Sequence, residues 1–223
     1  MLISRVAQSL VPALLLLALA GCDDPAKDKA AATVSSAAPL RDAKSAQAAA
    51  PVPANAVAYF PIDAATSTVG FVGAKVTGTH EGKFTAFSGQ VGLVNGKAEG
   101  GKVNVTINLD SVKTDDEKLD GHLKAPDFFD VAKFPKATFT STEVKAGGDK
   151  GASHTVTGTL DLHGVTKTIA FPATITVSGD AVSATAEFTI NRKDFGIVYP
   201  GMANNLIKDD VVIKLSIKSG KKG

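Results

Sequence analysis

Cys22 is the single cysteine of this 223-residue chain, and its thiol is the most nucleophilic side chain the sequence offers. It stands directly behind Leu19, Ala20 and Gly21, at the end of an apolar run from Leu10 to Ala20. Thioether attachment of a lipid needs only such a sulfur and nothing else from the fold. The other reactive residues do not converge. His80, His122, His154 and His163 are dispersed without metal-ligand spacing, and no serine lies in a nucleophile-elbow sequence. Gly100 and Gly101 follow a turn rather than opening a helix, so they do not form a phosphate loop. Asp127 and Asp130 are close in sequence, but paired acid catalysis depends on their separation and burial in space. Arg192 beside Asp194 reads either as a head-group clamp or as a structural hydrogen-bond pair. His122 reads either as a packing residue or as an acid or ligand awaiting an orienting partner. Without a convergent set, the expectation is a protein that is not an enzyme and that carries no metal and no cofactor.

Residues 1–21 divide as a secretory signal peptide does, with Arg5 as a positive start, a short apolar stretch and small residues before the cut. About eleven apolar residues are too few to span a bilayer, which takes roughly 20. The order Leu19, Ala20, Gly21, Cys22 resembles the lipobox of bacterial lipoproteins, whose cysteine carries the acyl chains. That resemblance implies export and a lipid-anchored protein on the periplasmic face of a membrane, inner or outer. Asp23 and Asp24 resemble an inner-membrane retention signal of some enteric bacteria. With Cys22 lipidated, no disulfide is available, although the compartment permits one. A formal charge of +2 gives no reason to expect nucleic acid.

The elements that must position any site begin beyond a tether. Residues 22–56 are dominated by alanine and interrupted by Pro25, Pro39, Pro51 and Pro53, which predicts a flexible linker with an end-to-end distance of about 30 Å. From Val57 to about residue 220 the texture becomes short runs of period two. Val103, Val105, Ile107 and Leu109 alternate with polar residues. So do Ile169 to Val177, Val182 to Ile190 and Val211 to Ile217. Asn95–Gly96, Gly147–Gly148, His163–Gly164 and Gly179–Asp180 mark turns. The count is about eight strands in one all-β domain. Thr114 to Glu117 has capping-box spacing, and Leu119 and Leu123 share a face before Pro126. This predicts a short helix from about Asp115 to Lys124, followed by an irregular stretch with Phe128, Phe129 and Phe134. Loops seldom carry so much apolar area unless they cover something.

Separated motifs then carry a family resemblance. Gly121-His122-Leu123, Asp127-Phe128-Phe129-Asp130, Phe134-Pro135, Phe139 and Ser141 resemble the signature of the YceI family. The match continues through Gly158, Leu160, His163 to Lys167, and Asn191, Arg192, Asp194, Phe195 and Gly196. Where many members have tryptophan and histidine early in the domain, this chain has Tyr59 or Phe60 and Thr66. The resemblance implies an antiparallel, eight-stranded, lipocalin-like β-barrel holding a long amphiphile such as a polyisoprenoid, an isoprenoid quinone or a fatty-acid-like lipid. Phe71, Val105, Ile107, Phe139, Leu160, Phe171, Ala184, Ala186 and Phe188 are the expected cavity residues. His122, Asp127, Phe128, Phe129, Arg192 and Asp194 are expected at the mouth. The expected partners are a hydrophobic small molecule and the membrane, with a homodimer left open. Two alternatives stay open: a structural or protein-interaction lipoprotein with a filled barrel, and an uncharacterised hydrolase.

Overall fold

A computed structural model describes residues 24–36 and 57–220. The N-terminal segment supplies strands β1 (Ala30–Ala31) and β2 (Thr33–Ser36). There follow β3 (Val57–Pro61), β4 (Thr68–Lys75), β5 (Gly78–Phe84), β6 (Phe87–Val94), β7 (Lys97–Asn108) and β8 (Val112–Thr114). Helix α1 (Glu117–Lys124) comes next, and β9 (Lys136–Ala146), β10 (His154–Leu162), β11 (Val165–Ser178) and β12 (Ala181–Asn191) resume the sheet. A small hairpin, β13 (Gly201–Met202) with β14 (Asn205–Leu206), precedes β15 (Asp210–Ser219). The sheet path runs β3-β6-β7-β9-β10-β11-β12-β15-β4-β5-β8, with antiparallel pairing throughout.

That path has eleven strands, not the eight expected. Alternation does not reveal where a strand bends. Only Thr85 and Ala86 separate β5 from β6, so one run pairs with β4 and β8 in its first half and with β3 and β7 in its second. This shared run brings both arms of the path together and curls the sheet around an apolar interior. Ile169, Phe171 and Ala173 of β11 and Phe188 and Ile190 of β12 are buried there together with Val144 and Val156. The four turn signals all fall between consecutive strands.

The tether expectation fails over residues 24–36. Pairing between β11 and β12 stops at Thr174 and Thr185, and above that level the N-terminal segment fills the gap. β1 runs parallel to β12 through Ala30–Phe188 and Ala31–Thr189, while β2 pairs antiparallel with Lys167 to Ala170 of β11. Ala32 and Val34 pack onto the interior cluster, and Thr33, Ser35 and Ser36 face out. Small residues of period two suffice to complete a wall where the backbone hydrogen bonds are supplied by neighbours. The signal peptide, Cys22 and residues 37–56 lie outside the described residues.

The helix begins later than predicted, at Glu117, and Asp116 is its N-cap, accepting from the Lys118 N–H at 2.9 Å. The Thr114–Glu117 capping box is therefore corrected. Thr114 instead ends β8, and its backbone N–H donates to Asp120 Oδ1 at 2.6 Å while its hydroxyl lies 2.8 Å from the same oxygen. Lys113 Nζ stands 3.1 Å from Asp120 Oδ2. The Thr114 hydroxyl first, and then the Thr114 amide and Lys113, hold the Asp120 carboxyl below the usual carboxylate range. A folded-state pKa below the unfolded one contributes stability above the unfolded value, and that contribution is lost as pH falls through the folded value. Asp120→Asn should therefore be less stable than the parent at neutral pH, with the difference shrinking below about pH 4, where aspartate ordinarily titrates. Urea melts of both proteins across that range check it; a difference constant with pH would contradict the assignment.

Candidate ligand cavity

The curled sheet encloses a cavity of about 560 Å³. That lies within the roughly 300–1,000 Å³ usual for small-molecule sites. Phe71, Val105, Ile107, Phe139, Leu160, Phe171, Ala184, Ala186 and Phe188 are among the residues around it. Phe171 stacks on Phe188 with ring centroids 4.2 Å apart, and Phe139 is tilted against Phe171 at 5.7 Å. Two glycines give rings room on the wall. A Cβ at Gly82 would stand 2.2 Å from Phe71 Cζ, and one at Gly158 would stand 2.5 Å from Phe139 Cζ. Each phenyl ring thus lies over a bare stretch of the neighbouring strand instead of projecting further into the lumen. The interior alternation was readable in sequence; these ring-over-glycine pairs required the cross-strand register.

Helix α1, the loop after it and the 201–206 hairpin form the mouth. His122 Nε2 donates to Asp127 Oδ2 at 2.7 Å, supplying the orienting partner that the sequence did not reveal. The ring meets Phe128 edge-on at 4.8 Å and Tyr199 at 5.2 Å. Phe128 is buried, and Phe129 packs against Phe84 with centroids 5.8 Å apart. His122, Phe128, Phe129 and Arg192 contribute to the cavity wall; Asp127 reaches the site through His122.

Arg192 is only 5% exposed. Its Nη1 donates to Ile197 O at 2.8 Å, its Nε to Lys208 O at 3.2 Å and its Nη2 to Asp209 Oδ1 at 3.1 Å. The reading of Arg192 and Asp194 as a pair is corrected, because Asp209 is the arginine's carboxylate partner and Asp194 is exposed. Lys193 also donates to Asp209, at 2.8 Å, and these two cations, Lys193 foremost, hold the Asp209 carboxyl below its ordinary range. A buried guanidinium needs such convergent acceptors to offset its lost hydration. Its fork joins the helical turn Arg192–Phe195 to the segment leading into β15.

Sequence reasoning missed Tyr199, Ile197 and Ile207, which complete the mouth wall. The aromatic Tyr199 between two apolar residues and Pro200-Gly201 was a usable signal. Asp209 carried none, since only the fold brings it to Arg192. The assembled site has an apolar body open toward histidine, carboxylate and tyrosine at one end. It can accept a long apolar tail and leave a polar end near the rim.

A family model described as the YceI-like domain matches residues 60–219. The chain belongs to the YceI family. A UPF0312 protein of Pseudomonas putida is 36% identical over 139 residues, covering 60% of this chain and 71% of that protein. Another UPF0312 protein, from Pectobacterium atrosepticum, is 42% identical over 122 residues, covering 52% and 62% respectively. The crystal structure of Burkholderia cenocepacia BcnA superposes with a TM-score of 0.63 at 28% identity, covering 70% of this chain and 98% of BcnA. A domain from Saccharophagus degradans described as polyisoprenoid binding, and implicated in plant cell wall breakdown, aligns with a TM-score of 0.58. It covers 75% of this chain and 100% of that domain, but at 21% identity it speaks for the fold alone. The YceI lipocalin-like architecture thus fits the curled sheet.

Proposed function

We propose that this YceI protein is a lipid-tethered periplasmic binding protein that holds the tail of a long-chain amphiphile, such as a polyisoprenoid, an isoprenoid quinone or a fatty-acid-like lipid, as carrier or reservoir. The observation that carries the reading is the 560 Å³ cavity walled by apolar side chains from the surrounding strands and rimmed by His122, Asp127 and Tyr199. Burying about ten methylenes would contribute roughly 8 kcal/mol before the cost of association is subtracted. The fold is shared with a domain described as polyisoprenoid binding. Among the described residues no nucleophile joins the His122–Asp127 hydrogen bond, which favours binding over catalysis.

Two measurements test it. Cys22→Ala should move the protein from the membrane fraction to the soluble periplasm with its sheet intact, because several acyl chains together hold a protein to a bilayer. Persistence of the variant in washed membranes would overturn lipid attachment. The same soluble full chain, purified from a bacterium without detergent, should carry copurifying lipid in native mass spectrometry. Apoprotein alone would favour a filled structural barrel.

A further inference from the structure

Six large hydrophobic residues are exposed among the described residues, and four of them gather at the cavity mouth. Val76, Val198, Met202 and Leu206 are 55%, 61%, 68% and 50% exposed. The Val76 N–H donates to Leu206 O at 3.0 Å, and Thr77 Oγ1 donates to Asn205 Oδ1 at 2.8 Å. Lys75 bridges to Ile207 on the same side. The 75–77 turn and the β13–β14 hairpin therefore form one ledge, while Val198 directly precedes the mouth residue Tyr199. Isolated exposed hydrophobics need no explanation, but a cluster on the rim of an apolar cavity does.

The chain's N-terminal course indicates what covers this ledge. Asp24 pairs with Lys208, the residue after Ile207, and this contact holds the Asp24 carboxyl below its usual range. Lys208 in turn donates its N–H to Ala74 O at 2.8 Å, at the base of the ledge. Cys22 is two residues upstream, a span of at most about 7 Å of chain. Asp24, where the described N-terminal segment begins, thus lies beside the mouth and not at the opposite end where β6 turns into β7, and an anchor at Cys22 is within that reach of it.

We propose that the ledge of Val76, Val198, Met202 and Leu206 is a membrane-docking surface, seated in a lipid bilayer so that the cavity opens toward the lipid from which its ligand is drawn. The proposal deepens the tethered-carrier reading and rests on it for the position of the anchor. Apolar side chains presented this way enter the boundary between head groups and acyl chains, and they add to the hold of a lipid anchor.

The test places an environment-sensitive thiol label in the full chain at Met202→Cys and, separately, at Lys97→Cys, beside the far β6–β7 turn. Intact mass reports whether Cys22 is acylated and thus closed to the label; if it is free, the same pair is made with Cys22→Ala. Vesicles of phosphatidylethanolamine and phosphatidylglycerol containing spin-labelled lipid supply the quencher. The label at 202 should blue-shift and be quenched about threefold or more above the label at 97, as expected for side chains at interfacial depth. Asp24→Asn should reduce that contrast by freeing the clasp. Acylated protein with equal quenching at both positions would overturn the docking surface and leave the anchor standing. Unacylated protein with selective quenching at 202 would overturn the anchor and sustain the docking surface. Loss of both signals would overturn both. A blue shift at 202 without vesicles, accompanied by dimeric mass, would assign the ledge to a second copy and overturn the proposal.

Discussion

Ala186→Trp should keep near-native stability relative to the ligand-free parent and lose its copurifying lipid entirely. Ala186 lies on the cavity side of β12, paired with Leu215 of β15 and next to the cluster containing Phe171 and Phe188. A cavity kept open for a flexible tail has space for the indole, which then occupies the ligand's volume. In a close-packed interior the same change would cost roughly 1 to 3 kcal/mol through overpacking. Denaturant melts on ligand-free proteins, with lipid extraction from both as purified, separate the outcomes. Strong destabilisation together with a lipid-free parent would leave the filled barrel as the better reading.

Arg192→Ala should destabilise by about 3 kcal/mol or more, the largest single-residue effect expected on folding. The substitution removes the donors to Ile197 O and Lys208 O and leaves Asp209 paired with Lys193 alone. A buried acceptor left without its donor costs about 1 to 3 kcal/mol. Arg192→Lys should recover little, because one ammonium cannot reproduce a planar fork reaching acceptors in several directions. Urea unfolding of the three proteins checks this; a loss of under about 0.5 kcal/mol for the alanine variant, the range of ordinary surface changes, would show that the fork is not a structural joint.

The interior of this protein was readable because its physical cause is periodic. Inward positions on β7, β11, β12 and β15 repeat every second residue, so Val105, Phe171, Ala186 and their neighbours could be placed on the cavity wall from alternation and family resemblance together. The mouth was less legible because its contacts join residues distant in sequence. Arg192 reaches Asp209 across the hairpin, whereas Asp194, two residues along, plays no part in that pair. The helix start went to the wrong residue because Thr114, Asp115 and Asp116 are all competent caps, and the end of β8 engages Thr114 first. The strand count fell short because the bend at Thr85 and Ala86 leaves no mark on alternation, and because β3 and β8, of five and three residues, are too short to show a period.

The N-terminal segment was misread for an instructive reason. Ala30, Ala32 and Val34 are too small to announce a core strand, yet between β11 and β12 they need only to close a narrow slot. The family match begins at Phe60, so a fragment cut to that boundary would lack this piece of its own wall. Such a fragment would expose backbone donors and acceptors on the upper halves of β11 and β12, the kind of open edge that recruits strands from other molecules. It would also offer a hydrophobic ligand a side exit above Thr174 and Thr185. Aggregation or an empty cavity in a trimmed version would then report the missing strand, and not the behaviour of the curled sheet that the N-terminal segment completes.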